Sequence, residues 1–289
     1  MTSQVLCNVR ARLGESPLWS AAEQALYWVD VADRTIWRYS WSTGETRSYP
    51  VTRIPSAIAL SRHGRLFVAF RNGLGWLDTR TGREEPIPIQ FDFARERFND
   101  AKCDRSGRFV VGTMDKELTA PVGKLYQIDA HVNVNQLSDA VTISNGIAWS
   151  PDGSRMYHCD SSPALVNVYD YDTISGRVSN RSIHIDLSKQ GLVPDGCTVD
   201  AGGNLWVAET HNQSIGCYDP HGNLTRRIKF PNTCITSLIF AGPEMDQIIA
   251  TTIGPQIGKA SNPLDGFLMK VNAGVTGIPE ALLQSEVGE

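Results

Sequence analysis

The chain has 289 residues, 41% of them hydrophobic and 20% charged, with a formal net charge of −4. That composition is globular and excludes a disordered or collagen-like chain, while lysines and arginines scattered along it form no basic stripe to track a phosphate backbone, so no nucleic-acid partner is expected. The opening MTSQVLCNVRARLGESPLW lacks the charged and apolar regions of an export signal, and no run of 18 apolar residues occurs, so a cytoplasmic protein without a membrane partner is expected. Cys7, Cys103, Cys159, Cys197, Cys217 and Cys234 form no C-x-x-C pair and read as reduced thiols packed in strands.

In chain order, one unit recurs six times: a turn rich in glycine and polar residues, then a tight apolar triplet. The triplets are Leu26-Tyr27-Trp28, Leu66-Phe67-Val68, Phe109-Val110-Val111, Met156-Tyr157-His158, Leu205-Trp206-Val207 and Ile248-Ile249-Ala250; their first residues are 40, 43, 47, 49 and 43 positions apart. A regular period of this length decides the architecture before any single element does. A second hairpin is expected after each triplet, from TIWRYSWSTGETRSY in the first unit to GFLMKVNAGVTGIPEALL in the sixth. Four short strands per unit, with no long helical period, predict an all-β fold. The expected form is a six-bladed β-propeller with four-stranded antiparallel blades around a central channel, a single domain over residues 1–289. One blade cannot hide both of its faces, so six stack and bury each other. The run Gln4–Arg10 is expected to supply the outer strand of the last blade, and Trp19, Tyr157 and Trp206 read as blade core.

Counting back 10 or 11 residues from each triplet reaches a polar residue every time: Glu15, Ser56, Asn99, Asn145, Asp195 and Ser237. In a propeller this position begins the innermost strand at one mouth of the channel, so distant segments meet on one axis. Asn or Asp before Gly also suits a turn by itself, but Glu15 stands in Gly-Glu-Ser, which turn chemistry does not explain. Glu15, Asn99, Asn145 and Asp195 offer oxygen ligands, and two carboxylates in one narrow mouth repel each other and lose hydration unless a cation neutralises them. One divalent metal ion is therefore expected, Ca²⁺ foremost, with Mg²⁺, Mn²⁺, Zn²⁺ or Fe²⁺ also admitted. No histidine falls at these positions.

The segments LGESPLW, RFNDAKCDRSGRFVVGTM, GKLYQID, ISNGIAWSPDG, YDYDTISGRVSNR and VPDGCTVDAGGNLWVAE together resemble the senescence marker protein, gluconolactonase and regucalcin family. The match runs in order over most of the chain and weakens after about residue 250. The resemblance implies a six-bladed propeller that binds one divalent metal and hydrolyses sugar lactones. It implies Glu15, Asn145 and Asp195 as metal ligands, the same three the repeat count reaches, and Arg97, Asn99 and Glu117 as the residues that hold the sugar hydroxyls. Ser16 stands where family members commonly carry glycine, and Asp100 reads equally well as a turn acceptor.

The activity expected is hydrolysis of an aldonolactone to its aldonic acid, the metal polarising the carbonyl and Asp195 serving as general base. No G-x-S-x-G elbow supplies a serine nucleophile. The partner expected is a small sugar lactone, with no obligate protein partner. Two other readings stay open: a calcium propeller acting on phosphotriesters or other esters, and a calcium-binding regulatory propeller without activity.

Overall fold

The computed structural model describes residues 2–129, 131–257 and 261–284. Six four-stranded sheets follow one another along the chain, and every pair of neighbouring strands is antiparallel. The innermost strands are Gly14–Ser20, Pro55–Leu60, Glu96–Cys103, Ser144–Trp149, Pro194–Val199 and Ile235–Ala241. Each packs against the innermost strands of the sheets before and after it, and the first packs against the sixth, so the ring closes.

The apolar triplets all lie in the second strand of a blade, and each of their eighteen residues is at most 1% exposed. A strand covered on both faces by neighbouring sheets needs no polar alternation, which is why the triplets read as continuous apolar runs. Trp19, Tyr157 and Trp206 are buried in this core.

Blade six is built from both ends of the chain. Gln4–Arg10 pairs with Phe267–Asn272, which pairs with Gln247–Thr252 and then Ile235–Ala241. The second hairpin expected in GFLMKVNAGVTGIPEALL does not form: Phe267–Asn272 is its one strand, because the edge beyond it is already taken by Gln4–Arg10. The following residues cross the far end of the channel instead. Thr276 accepts from the Ala201 amide, Leu283 donates to the Leu60 carbonyl, and Gln284 donates to the Gly107 carbonyl. Glu280 meets Lys102 at 3.2 Å there.

The near end is shaped by irregular pairing. In every innermost strand the register slips by one residue close to its start, between Glu15/Leu18, Pro55/Ala57, Phe98/Ala101, Ser144/Ile147, Pro194/Cys197 and Ile235/Ser237. The extra residue of such a bulge leaves the ladder and re-aims its side chain. In blade six the extra residue is Thr236, because Ser237 is paired with Thr251, so the repeat count misses that bulge by one position.

The glycines after Asn145 and Asp195 serve the same crowding. Neither Gly146 nor Gly196 has a positive φ; a Cβ on Gly146 would lie 2.5 Å from the Asp195 carbonyl oxygen and 2.7 Å from the Cys197 nitrogen. On Gly196 it would lie 2.1 Å from the Ser237 hydroxyl. Only hydrogen lets the innermost strands approach this closely. Gly146→Ala is therefore expected to cost about 1–3 kcal/mol of stability through overpacking, read as a lowered denaturant midpoint.

Candidate metal centre

The bulges bring Glu15, Asn99 and Asn145 onto one cavity at the near mouth, with Arg97 on its wall. The cavity, of about 60 Å³, is also lined by Asp100 and Arg71. Asp195, on the next innermost strand after Asn145, joins them electrostatically: Glu15 is repelled first by Asp195 and then by Asp100.

Three carboxyl groups in one buried space resist ionising together. Burial, then Asp195 and Asp100, push Glu15 well above the usual carboxylate range. Burial, then the Asp100 charge, push Asp195 up to about 8. Burial also raises Asp100, against the Lys102 charge and the Ala101 amide. A bound divalent cation relieves such repulsion, so the electrostatics fit the group the resemblance implies.

The donor chemistry narrows the fit. Among the described residues no three His, Cys, Asp or Glu side chains form a metal-holding group by themselves. The set that fits is mixed: the Glu15 and Asp195 carboxylates with the Asn145 amide oxygen, all hard donors suited to Ca²⁺, Mg²⁺ or Mn²⁺.

Asn145 is oriented by a relay of hydrogen bonds. Arg97 Nη1 donates to Asn99 Oδ1 at 2.8 Å, and Asn99 Nδ2 donates to Asn145 Oδ1 at 2.6 Å. Asn145 Nδ2 then donates to Ser161 Oγ at 2.7 Å, and that hydroxyl donates to the Pro194 carbonyl at 2.6 Å. The relay settles which end of each amide is oxygen. Asn145 Oδ1 keeps a second lone pair for a cation, whereas Asn99 Oδ1 is engaged by Arg97. Of the four oxygen donors expected from the repeat, Asn99 has its Oδ1 bonded to Arg97 and its Nδ2 to Asn145.

Ser161→Ala removes the acceptor that holds Asn145 Nδ2. With Asn145 as a ligand of the cation proposed below, metal affinity is expected to fall about 10-fold or more, as for the outer hydrogen-bond partners of metal ligands, with little change in melting temperature when chelator is present. Calcium titration calorimetry checks this.

Two further residues support Asp195 and Ser144. The Thr210 hydroxyl stands 3.3 Å from Asp195 Oδ2 and also contacts the Ile235 carbonyl. His158, fully buried and held near pKa 3 by burial and then Arg181, stays neutral and bonds the Ser144 hydroxyl at 2.9 Å beside Asn145.

Glu117 is placed differently from the others. It is exposed on the turn after Asp115, whose carboxylate accepts its backbone amide at 3.2 Å, and it does not line the cavity. Asp100, weighed from sequence as a turn acceptor, does accept the Ala101 amide at 2.8 Å, yet it also faces the carboxylate cluster. Repeat counting reaches one residue per blade, so Asp100, next to Asn99 in the same bulge, and Arg71, in a turn outside the repeat, gave no comparable signal.

A family model described as SMP-30/Gluconolactonase/LRE-like region matches residues 13–254. Regucalcin of Gallus gallus is 31% identical over 281 residues, covering 93% of this chain and 94% of that protein. A pentonolactonase of Haloferax volcanii is 30% identical over 288 residues, covering 97% of each. Among solved structures, a calcium-binding protein, regucalcin, from Agrobacterium tumefaciens gives a TM-score of 0.90 at 25% identity, covering 98% of this chain and 97% of that one.

Proposed function

The chain belongs to the SMP-30/gluconolactonase/LRE-like family, and from that premise we propose that it hydrolyses a sugar lactone to the aldonic acid at a divalent cation held by Glu15, Asn145 and Asp195. The observation that carries the reading is the convergence of mutually repelling carboxyl groups at one channel mouth, beside an amide oxygen fixed by its own hydrogen bonds. The names of two relatives point the same way, one to a pentonolactone as substrate and the other to calcium.

When bound, the cation supplies Lewis acidity at the lactone carbonyl oxygen. The chain's own residues supply the rest. Asp195 accepts the proton of the attacking water and returns it to the ring oxygen as the acyl bond breaks. Arg97 is anchored at Nη1 by the Phe98 carbonyl and Asn99 Oδ1, leaving other guanidinium N–H groups to donate to substrate oxygens. Asn99 holds Asn145 and borders the same cavity. Glu117 would meet a substrate only from the outer rim, as an acceptor for its hydroxyl groups. With the far end crossed by the segment carrying Glu280, substrate enters at the near mouth.

A pH-stat screen of five- and six-membered sugar lactones, on chelated protein resupplied with single divalent ions, tests the proposal. Acid release that depends on added ion is expected. Calcium-dependent thermal stabilisation with no lactone or ester turned over would instead establish a binding propeller.

A further inference from the structure

The acidic cavity adjoins a wider cleft of about 480 Å³, the two sharing Arg71 and Arg97 as lining residues. Five of the eight residues lining the cleft are cations, Arg34, Arg53, Arg71, Arg97 and Lys116, and none is acidic. This is a local concentration of positive charge in a chain whose net charge is −4. The five come from blades one, two and three, so the fold gathers them rather than one basic segment.

Arg53 is committed, at 2.8 Å from Glu84 and 3.8 Å from the centre of the Phe70 ring. The other four have no carboxylate partner among the described residues. Arg34 donates to the Thr52 carbonyl, Lys116 to the Phe93 and Ala94 carbonyls, and Arg97 to the Phe98 carbonyl and Asn99. Arg71 Nε is buried without a hydrogen-bond partner, and burial lowers its guanidinium from the usual range.

Donor type distinguishes what such a cleft recognises. A sugar hydroxyl both donates and accepts, and is matched by mixed partners, whereas arginine and lysine only donate. Thr52 and Asn72 share the wall, and Glu84 is taken up by Arg53 and Thr52. The four remaining donor-only cations, with no carboxylate partner, suit a group that only accepts, and planar guanidinium forks suit carboxylate or phosphate oxygens above all. The proposed cation lies in the neighbouring cavity and takes the carbonyl oxygen, so a substrate that spans both turns its remote substituent toward the cleft.

Building on the lactonase reading, we propose that the lactone taken by this site carries an anionic substituent, a carboxylate or a phosphate, remote from its carbonyl. Arg34, Arg71 and Lys116 receive that substituent in the cleft while the lactone ring lies toward the acidic cavity.

The test compares kcat/KM of the metal-loaded protein for gluconolactone, phosphogluconolactone and glucarolactone at low and high salt. The two anionic lactones are expected to exceed the neutral one by about tenfold or more at low salt, with the advantage shrinking as salt screens the cleft. Whichever of phosphate and carboxylate gains more identifies the substituent. In the double variant Arg34→Gln, Lys116→Gln the anionic-to-neutral ratio should fall by about tenfold. An anionic-to-neutral ratio near one in the native protein, or one that the double variant leaves unchanged, overturns the proposal. If no lactone is turned over, the lactonase reading falls and calorimetry decides the cleft separately. Phosphogluconate binding more tightly than gluconate, with the difference lost in the double variant, upholds an anion site; equal binding overturns it.

Discussion

Asp195→Asn is expected to lower kcat for lactone hydrolysis by about three orders of magnitude at saturating metal, with the propeller intact. The amide keeps the shape of the side chain and an oxygen for a cation, but it cannot take a proton from water, and loss of a positioned base costs about 10²- to 10⁴-fold. Folding should survive because the carboxyl group is a burden on the metal-free structure: burial and the Asp100 charge hold it up at about 8. Removing it also relieves Glu15, which Asp195 repels. The metal-free variant should therefore melt no lower than the metal-free native protein, while its stabilisation by calcium is reduced. Saturating metal separates the two roles of the residue, since a loss of binding alone is recovered by added ion and a loss of the base is not. Turnover within a few-fold of the native protein would falsify the assignment of the base.

Removing the metal should make stability depend on pH in a particular direction. Asp195 begins near 3.8 when unfolded and stands at about 8 in the fold, so between these values the folded chain holds a proton that the unfolded chain has lost. Stability falls with rising pH wherever the folded state binds more protons. The contribution is thus fully present below about pH 4 and is lost as pH rises toward about 8. Glu15 and Asp100 are raised as well and act in the same direction. A cation that displaces these protons reverses the trend. At a hundredfold excess over its dissociation constant it adds about 2.7 kcal/mol, roughly 5 °C in melting temperature for a chain of this size. Melting curves from pH 5 to pH 8, with calcium or with chelator, are expected to diverge as pH rises. Parallel curves would mean that the carboxyl cluster does not bind the ion.

The architecture was legible because its signal repeats. A triplet such as Leu66-Phe67-Val68 is covered by a sheet on each side, so it appears as an apolar run, and five regular steps identify the ring. The same counting placed Glu15, Asn145 and Asp195 near the start of their innermost strands, where the structure has them, since such positions are set relative to their own blades. What escaped it depends on neighbours far away in sequence. Gly146 reads along the chain as a turn residue, yet its need for hydrogen comes from the backbone of Asp195 and Cys197 in the next blade. Asp100 turns toward the cluster because a bulge puts Asn99 and Asp100 in the same irregular stretch, and nothing in Asn-Asp-Ala announces a bulge. The sixth unit's hairpin failed for the converse reason: its segment carries strand-like residues, but Gln4–Arg10 already holds the available edge. The basic cleft draws on Arg34 and Arg71 in turns outside the periodic strands, where no rule of spacing applies.

The closure of blade six sets a timetable for biosynthesis. Gln4–Arg10 is translated before every other strand of the ring, but its hydrogen-bonding partner Phe267–Asn272 is translated after them. At the usual pace of elongation the nascent chain waits about 10 to 50 s with that leading segment unmatched. Blades one to five can assemble during this interval, while the circle itself locks only after Phe267–Asn272 has been made. A ribosome that stalls before residue 267 therefore releases an open arc with an unpaired sheet edge, the kind of species that chaperones must shield.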